Sequence, residues 1–267
     1  MLCLRSPRRG GRRREGAASL RIRVLSYNIH RAIGVDRRFR LERIVRVLRH
    51  YDADVALLQE VDDGAPRSAS LDLGRELAAA GGYSHLAIGH NVSLRKGRYG
   101  NATLSRFPIL RERNIDLTIG KRKRRGCQHT TLEVAAAGRA ERRLEVFNLH
   151  LGLSAAERQR QVGMLVRTRE LEELEPQAPC LVAGDFNDWR SRLLPVFTAA
   201  LEFRCATLLK TGTNACLRTY PSFSPRGALD RIYYRGPLRL HDVRVGRLSV
   251  ARVASDHLPV VAEFELH

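Results

Sequence analysis

The sequence predicts an α/β fold in which two mixed sheets pack face to face, with helices on their outer sides. Two apolar runs, 54–58 and 179–183, are typical of strands that are buried on both faces. Between residues 84 and 149 the chain breaks into short β-branched or apolar runs separated by turn residues, which predicts adjacent antiparallel strands. Amphipathic spacing at residues 41–48 predicts a helix with one apolar face.

The remaining elements follow from local patterns along the chain. The predicted strands are 22–28, 54–58, 85–91, 99–105, 109–117, 128–135, 142–149, 179–183, 228–234, 238–245 and 258–266. The predicted helices are 41–48, 71–80, 154–173 and 193–203. Ser154 and Glu157 have the spacing of a capping box. The run at 54–58 is expected to stop at Glu60, where a carboxylate is costly unless a cation meets it.

Length and charge predict one domain with a basic tail. No linker rich in Pro, Gly or Ser divides the 267 residues, so we expect a disordered tail over 1–20 and a single domain over 21–267. The tail contributes +5 of the formal net charge of +19. The remaining +14 favours phosphate-rich partners such as nucleic acid or an anionic membrane surface. For the tail, a solvated arm is preferred to a nucleic-acid clamp.

The cysteines and the apolar runs indicate the compartment. The five cysteines are scattered and include no Cys-x-x-Cys pair, which argues against a disulfide framework and against a zinc site. No apolar segment follows the arginines of the tail, so we expect no secretory signal. No run reaches membrane-spanning length. These features favour a cytoplasmic protein. We also expect a monomer.

Five strand-like runs end in acidic, amide or imidazole side chains, and a sixth carries a carboxylate inside it. The strand-end residues are Asn28, Glu60, His150, Asp185 with Asn187, and Asp256 with His257, and the sixth run contains Asp230. Strand ends are where α/β proteins place their chemistry. Structural explanations also exist. Glu60 can be a paired carboxylate and His150 a hydrogen-bonded core histidine. Asp185 with Asn187 can form a turn bonded to its own backbone, and Asp256 can be a cap or turn former.

Seven short motifs follow one another along the chain. They are Tyr-Asn at 27–28, Gln-Glu-Val at 59–61, Gly-Asn-Ala with Ser-Arg-Phe-Pro between 100 and 108, Asn-Leu-His-Leu at 148–151, Gly-Asp-Phe-Asn at 184–187, Leu-Asp-Arg-Ile at 229–232 and Ser-Asp-His-Leu-Pro-Val at 255–260. In this order they resemble the endonuclease/exonuclease/phosphatase superfamily. Asn-Ile-His-Arg at the first motif resembles a largely uncharacterised bacterial branch, often encoded beside cardiolipin synthases. The resemblance implies the DNase I-like fold, a four-layer α/β/β/α sandwich.

The same resemblance implies a metal-dependent enzyme that hydrolyses phosphoester bonds. Phosphoester cleavage needs positive charge on the phosphoryl oxygens and an activated water. Glu60 and Asn28 are the expected ligands of Mg²⁺, with Mn²⁺ as an alternative, and Asp256 is a third.

The remaining strand-end residues are assigned to the water and the phosphate. As the resemblance implies, Asp185 orients and deprotonates the attacking water, while Asn187 contacts the water or a phosphoryl oxygen. His257 is expected to bind the phosphate, with its tautomer fixed by Asp230. His150 is expected to bind the phosphate or to assist the leaving oxygen.

Substrate contacts are assigned to His30, Arg125 and Asn101. His30 stands where several DNA-repair members have an acidic residue. It is either a substrate contact or, in the preferred interpretation, a partner for Glu60 or Asp185. Arg125 lies in a basic loop, where it is either a ligand for a headgroup phosphate or a solvated charge.

The predicted function is a metal-dependent phosphodiesterase or phosphatase that acts on lipid headgroups or small phosphoesters. A DNA or RNA nuclease is the alternative that the basic charge supports, although no aromatic-plus-basic platform for single strands is evident. A catalytically inactive protein that binds phosphorylated ligands is a more remote alternative, because it would not need both Asp185 and the pairing of His257 with Asp230. Trp189 and Arg190 either line the substrate mouth, or Trp189 packs over the helix that follows.

Overall fold

Two six-stranded sheets form the centre of the molecule. The computed structural model describes residues 20–135, 141–209 and 215–267. Its strands are β1 Leu20–Asn28, β2 Val55–Asp63, β3 His85–Ser93, β4 Arg98–Ser105, β5 Ile109–Asp116, β6 Gly126–Val134, β7 Arg142–His150, β8 Cys180–Asp185, β9 Arg204–Cys205, β10 Asp230–Arg235, β11 Leu238–Val245 and β12 Val260–Leu266. The first sheet has the order β11–β12–β1–β2–β4–β3, and the second has the order β5–β6–β7–β8–β10–β9. The short strand β9 was not predicted.

Helices cover the outer face of each sheet. They are α1 Leu41–Tyr51, α2 Leu73–Gly81, α3 Ala155–Val166, α4 Arg169–Glu172 and α5 Ala251–Ala254. The first sheet packs on α1, α2 and α5 through an apolar cluster that includes Leu25, Ile44 and Leu77. The second packs on α3 and α4 through a cluster that includes Phe147 and Val162. The layers are therefore helix, sheet, sheet and helix, which confirms the predicted four-layer sandwich.

An apolar core between the sheets is built from alternate strand residues. Val24 faces the opposite sheet, whereas its neighbour Leu25 faces the helices. In β2, Leu57 likewise faces the opposite sheet and Leu58 faces the helices. Because both faces of these strands are covered, their sequences are continuously apolar, which is why 54–58 and 179–183 could be recognised.

Two parallel strand pairs occupy the middle of the sandwich. β1 pairs with β2 in the first sheet, and β7 pairs with β8 in the second. α1 connects the first pair, and α3 with α4 connects the second. Parallel strands place their carboxyl ends at one edge, so both pairs end at a place that loops can line.

A buried amide network joins the two sheets just below that edge, and it consists of Gln59, Asn101 and Asn148. The Nδ2 of Asn148 donates to the carbonyl oxygens of Leu58 at 3.1 Å and Ala102 at 3.0 Å. Its Oδ1 accepts a hydrogen bond from Gln59 Nε2 at 2.8 Å, and its carbonyl oxygen accepts one from Asn101 Nδ2 at 3.0 Å. Buried amides are costly unless they are hydrogen-bonded, so the network favours one alignment of the sheets.

The second strand differs from its prediction. β2 does not stop at Glu60 but continues to Asp63, through a bulge in its pairing with β4 between Leu58 and Val61. Glu60 lies in that bulge with a left-handed φ of 58°. Bulges re-aim side chains, so Glu60 leaves the regular alternation of the strand.

Two predicted helices also differ. The helix predicted over 154–173 breaks into α3 and α4 at Thr168, whose Oγ1 donates to the carbonyl oxygen of Leu165 at 2.7 Å and so competes with the helical backbone. The helix predicted over 193–203 is reduced to a π-type turn at Val196–Ala200. Thr198 in that turn is β-branched and bonds back to the carbonyl oxygen of Leu194. The predicted cap at Ser154 is present.

The predicted tail over 1–20 lies outside the described residues except for Leu20, which begins β1. The single domain predicted over 21–267 stays a prediction. In the ranges that the structure describes, every helix is too short or too polar to cross a lipid bilayer.

Candidate active site

Polar side chains from both parallel strand pairs meet in a cleft at one end of the sandwich. Asn28 is the last residue of β1, and Glu60 lies in the bulge of β2. On the second sheet His150 ends β7 and Asp185 ends β8, and the register of the pair sets them side by side. Asp230 begins β10, directly opposite Asp185.

Asp185 is the centre of this cluster. Its Oδ2 accepts a hydrogen bond from Asn28 Nδ2 at 3.1 Å. The same oxygen lies 3.5 Å from His150 Nε2 and 3.7 Å from His257 Nε2. Its Oδ1 accepts a hydrogen bond from the backbone amide of Asn187 at 2.9 Å. Side chains from three distant parts of the chain therefore converge on one carboxylate oxygen.

Asp185 and His257 both have shifted pKa values. Burial raises the pKa of Asp185 to about 6, the charge of Asp230 adds to the rise, and the positive charge of His257 opposes it. Burial by itself would lower the pKa of His257, but the charges of Asp230 and Asp185 and the hydrogen bond to Asp230 outweigh it and raise the pKa to about 10. The cleft thus holds an imidazolium beside a carboxylate.

His257 is held from its other side. Its Nδ1 lies 2.9 Å from Asp230 Oδ2, and Thr219 Oγ1 donates to that same oxygen. The backbone amide of His257 donates to Ser255 Oγ at 3.2 Å, and Ser255 Oγ donates to the carbonyl oxygen of Asn28 at 2.7 Å. These bonds orient the ring so that Nε2 faces Asp185.

His150 is buried between the Asp185 carboxylate and several cations. Burial is the main reason that its pKa is well below the usual value, and nearby positive charges lower the pKa further. These charges belong to Arg125, His257, Lys123 and Arg31. His150 is therefore a neutral imidazole, able to donate one hydrogen bond and accept another.

The turn after β8 has an unusual backbone. Gly184 has a φ of 139°, and a Cβ at this position would lie 1.9 Å from the carbonyl oxygen of Leu149. Asn187 has a left-handed φ of 51°, and its Nδ2 donates to the carbonyl oxygen of Leu151 at 3.0 Å. The backbone-bonded turn considered for Asp185 and Asn187 is present, and it also presents the Asp185 carboxylate to the cleft.

Glu60 faces a guanidinium group. Its Oε2 lies 3.4 Å from Arg31 Nε, and both of these buried atoms lack a hydrogen-bond partner within the described residues. Arg31 has a left-handed φ of 60°, as Glu60 has a φ of 58°. Two strained positions thus bring the pair together. The Oδ1 of Asn28, close by in sequence to Arg31, accepts a hydrogen bond from the backbone amide of His30 at 3.0 Å.

His30 and Asp256 are neighbours. The Nδ1 of His30 lies 2.8 Å from the carbonyl oxygen of Ile33 and 4.0 Å from Oδ1 of the half-buried Asp256. The acidic neighbour of His30 is therefore Asp256, which corrects the preferred prediction that His30 partners Glu60 or Asp185.

A depression beside His150 contains Arg125 and Asn101. Arg125 is buried, so it is not a solvated loop charge, and its Nε has no hydrogen-bond partner within the described residues. The Nδ2 of Asn101 donates to the carbonyl oxygens of Gly126 at 3.2 Å and Asn148 at 3.0 Å. Arg125 is thus an enclosed charge that lines the depression, whereas the amide nitrogen of Asn101 is occupied by backbone carbonyls.

One family model covers the strands and loops that build this cleft. The model of the Endonuclease/Exonuclease/phosphatase family matches residues 25–257, from β1 to His257 after α5. The chain belongs to the endonuclease/exonuclease/phosphatase family. The Escherichia coli K12 protein YbhP, described as uncharacterised, is 32% identical over 252 residues, which cover 91% of this chain and 96% of YbhP.

Solved structures show the fold of this family. An endonuclease/exonuclease/phosphatase from Beutenbergia cavernae has a TM-score of 0.72 and 22% identity, covering 92% of this chain and 72% of that one. ANGEL2, described as a 2',3'-cyclic phosphatase and crystallised with adenosine-2',3'-vanadate, has a TM-score of 0.70 and 18% identity, covering 93% of this chain and 96% of that one. At these identities the likeness shows a shared fold.

The donors in the cleft fit the divalent metals that enzymes of this family commonly use. Across residues 20–135, 141–209 and 215–267, no group of three or more His, Cys, Asp or Glu is arranged to hold a metal ion. Mg²⁺ does not need such a group, because it keeps several waters and binds one or two carboxylates. Glu60 has a buried carboxylate oxygen without a hydrogen bond, and Asn28 has an amide oxygen. Both are hard ligands of the kind that Mg²⁺ prefers.

Two contacts in the family site were missed from sequence. Arg31 pairs with Glu60. Its position next to His30, in the polar segment after the first strand, could have indicated a role in the site. Thr219 bonds to Asp230, but it lies in an irregular loop, so neither periodicity nor spacing could indicate it.

Trp189 packs against the loop that contains Tyr220 and Gly227, rather than over the predicted helix after it, which is reduced to a turn. Its ring packs edge-on against Tyr220, with ring centroids 5.7 Å apart, and covers Gly227. More than half of the side chain is nevertheless exposed. Tyr220 in turn lies 5.0 Å from the ring of His257, so Trp189 stands at the mouth of the cleft.

Proposed function

We propose that this protein is a divalent-metal-dependent phosphoester hydrolase in which Asp185 deprotonates the attacking water. The observation that carries the proposal is the convergence of Asn28, His150 and His257 on one oxygen of Asp185. A general base must lie within hydrogen-bond reach of the water, and the groups that hold the phosphate must lie beside it. The grouping of these polar side chains around Asp185 in one cleft supports both roles.

Glu60 and Asn28 would hold the cation, with Asp256 as a third oxygen donor. Mg²⁺, or Mn²⁺ in its place, would supply positive charge that stabilises the phosphoryl oxygens and the leaving group. Arg31 lies against Glu60 and adds a fixed positive charge on the same side of the cleft.

The other side chains orient the phosphate and the water. His257 donates from Nε2 to a phosphoryl oxygen, while Asp230 Oδ2 accepts a hydrogen bond from Nδ1 of the ring and fixes its orientation. The same division of labour operates in catalytic triads, although no serine is attacked here. His150 contacts the phosphate or assists the leaving oxygen, and Asn187 helps to position the water.

Lipid headgroups and small phosphoesters are the proposed substrates. The buried Arg125 lines the depression beside His150, and guanidinium groups suit phosphate oxygens. His30 and Asn101 are proposed as further substrate contacts. The description of ANGEL2 as a 2',3'-cyclic phosphatase supports a phosphodiester among the substrates. The scattered cysteines support a cytoplasmic location, and we propose a monomer with one catalytic domain over 21–267.

Hydrolysis of bis-p-nitrophenyl phosphate tests the proposal. The wild-type protein should release nitrophenol with Mg²⁺, lose the activity in EDTA and regain it when the metal is restored. Asp185→Ala and His257→Ala should lose the activity, whereas Asp242→Ala, at an exposed carboxylate of β11, should keep it. Equal rates of hydrolysis in the wild type and both cleft variants would contradict the proposed mechanism. Binding of the ester without turnover would instead favour the inactive phosphate-binding protein.

A nuclease is the second candidate, and a basic loop favours it. Lys121, Arg122, Lys123 and Arg124 are exposed and directly precede Arg125. Such a loop can contact the phosphates of a nucleic acid, and binding of that kind weakens steeply with salt. Salt-sensitive nicking of a plasmid with Mg²⁺ would support a nuclease. An intact plasmid, together with cleavage of a phospholipid headgroup ester, would exclude it.

A further inference from the structure

The most exposed large apolar side chains of the described residues stand on loops around the cleft. Leu153, Phe223 and Trp189 are 75%, 65% and 56% exposed. Leu153 follows His150 at the end of β7, and Trp189 follows Asp185 at the end of β8. Phe223 lies in the turn that precedes β10. Scattered exposed hydrophobics are common, but these three lie at one end of the molecule.

Direct contacts connect the loops of Leu153 and Trp189. The Nη1 of Arg158 donates to the carbonyl oxygen of Leu153 at 2.6 Å, and its Nη2 lies 3.6 Å from Oδ1 of Asp188. Asp188 immediately precedes Trp189 in the chain. One buried guanidinium therefore holds both loops.

The turn that carries Phe223 belongs to the same rim. The backbone amide of Ser222 donates to the carbonyl oxygen of Asp256 at 2.7 Å, and its Oγ donates to the carbonyl oxygen of Arg252 at 2.9 Å. Tyr220, at the start of the turn, packs between Trp189 and the ring of His257. Leu153, Trp189 and Phe223 thus form one apolar rim around the catalytic groups.

The exposed charges beside the apolar rim are mainly positive. Arg190 and Arg192 follow Trp189, Arg226 follows Phe223, and Arg252 lies beside Ser222. The exposed stretch 121–124 adds four more basic side chains near His150. The one acidic residue in the Trp189 turn, Asp188, is buried against Arg158.

From this arrangement we propose that the apolar rim docks on an anionic lipid surface and that the cleft hydrolyses a phosphoester in a membrane lipid headgroup. Tryptophan partitions to the boundary between headgroups and acyl chains, and leucine and phenylalanine at loop tips insert there. The flanking arginines add attraction to anionic headgroups. The docked rim would place Asp185 and His257 at the level of the headgroup phosphate. The inference depends on the proposed phosphoester hydrolase activity.

A nucleic acid fits this rim less well. Proteins that hold single strands use basic grooves with aromatic faces on which bases stack. The most exposed member of the rim is the aliphatic Leu153, which offers no such face. The ring of Trp189 already packs against Tyr220 and Gly227, which leaves less of it free to stack on a base.

Fluorescence of Trp189 provides a direct test, because it is the only tryptophan in the 267 residues. On addition of vesicles of phosphatidylglycerol and phosphatidylcholine, its emission should shift to shorter wavelength. The shift should be weaker with pure phosphatidylcholine and should decrease as salt is raised. An emission that is unchanged by anionic vesicles would overturn the proposal.

A matched set of variants extends the test. In sedimentation with the anionic vesicles, Leu153→Ser combined with Phe223→Ser should lower the partition coefficient by about tenfold or more. Leu110→Ser is the control, since Leu110 is 48% exposed near the end of β5 that lies away from the cleft. It should bind like the wild type. Thermal melts followed by circular dichroism establish that each variant is folded. Equal binding by the double variant and the control would contradict the proposal.

The outcomes separate this inference from the proposed activity. If the wild type hydrolyses bis-p-nitrophenyl phosphate but does not bind vesicles, the docking surface is wrong and the hydrolase stands. If it binds vesicles through the apolar rim but hydrolyses neither the soluble ester nor the lipid, the hydrolase is wrong. If the double variant loses binding to single-stranded DNA while vesicles do not bind at all, the rim is a nucleic-acid surface.

Discussion

The two parallel strand pairs end at the same edge of the molecule but carry different chemistry. β1 ends in Asn28 and β2 carries Glu60 in its bulge. Both side chains offer oxygen atoms, and Glu60 is partly exposed and faces Arg31. β7 and β8 end in His150 and Asp185, which are buried and approach each other to 3.5 Å. One topology, used twice, therefore supplies the proposed cation ligands from one sheet and the proposed base with an imidazole from the other. The fold decides where these groups meet, and the side chains decide what each half does.

The largest expected effect is on kcat, and it comes from the second strand pair, β7 with β8. Asp185→Asn keeps the shape of the side chain but removes its ability to take a proton from water, so kcat for bis-p-nitrophenyl phosphate should fall by about 10³-fold. The concentration of Mg²⁺ that gives half-maximal rate should stay nearly constant in any residual activity. A variant that retains wild-type kcat would show that the two halves are not divided in this way.

A smaller loss is expected from the support of His257. Asp230→Asn removes the charge behind the ring and should lower kcat by about 10²-fold, because the ring loses its fixed orientation. Glu145→Gln is a matched control, since Glu145 Oε2 lies 2.6 Å from His129 Nε2 on the outer face of the second sheet, away from the cleft. Its kcat should change less than about twofold. Similar losses in both variants would mean that any carboxylate–histidine pair in this protein matters only through stability.

For the first strand pair, β1 with β2, the expected effect is on the affinity for the metal. Glu60→Gln should raise the Kd for Mn²⁺, measured by calorimetry, by about tenfold or more, because a charged oxygen ligand becomes neutral. Asp185→Asn, measured in the same way, should change the Kd much less. If both substitutions raise the Kd for Mn²⁺ equally, the assignment of the metal to one sheet is incorrect.

The smallest expected effect is on stability, and it concerns α3, which connects β7 with β8. Gly163 lies in the middle of α3 with no neighbour closer than 3.9 Å to an added Cβ, so Gly163→Ala should increase the free energy of unfolding by about 0.5–1 kcal/mol. Gly82→Ala is its counterpart after α2. It also has space for a Cβ, but its φ is 74°, so it should destabilise the protein by about 1–2 kcal/mol. Urea titration measures both changes, and the same sign in both would contradict the argument.

Much of the fold could be predicted because its strands have strong local patterns. The apolar run before Asp185 and the cap at Ser154 each carry their signal within a few residues. The bulge at Glu60 could not be predicted in this way, because it depends on the pairing of β2 with β4. The break at Thr168 depends on a side-chain bond that a helical pattern does not encode.

The candidate site shows the same limit. Its strand-end residues were recognisable because polar groups interrupt apolar runs. Their partners were not, since Thr219 reaches Asp230 from an irregular loop. The burial of Arg125 was hidden for a related reason. A run of basic residues is usually solvated, and only the packing of Arg125 beside β3, β4 and His150 shows that it is enclosed.

The amide network below the cleft has a consequence for the way a ligand is received. Asn148 is bonded to β2, β4 and Asn101, so the sheets cannot slide past each other by one residue without breaking several of these bonds at once. The contact between Asn28 and Asp185 is consequently set during folding and does not need a ligand to form. A phosphoester substrate of the proposed kind would therefore meet polar groups whose spacing is already fixed before it binds.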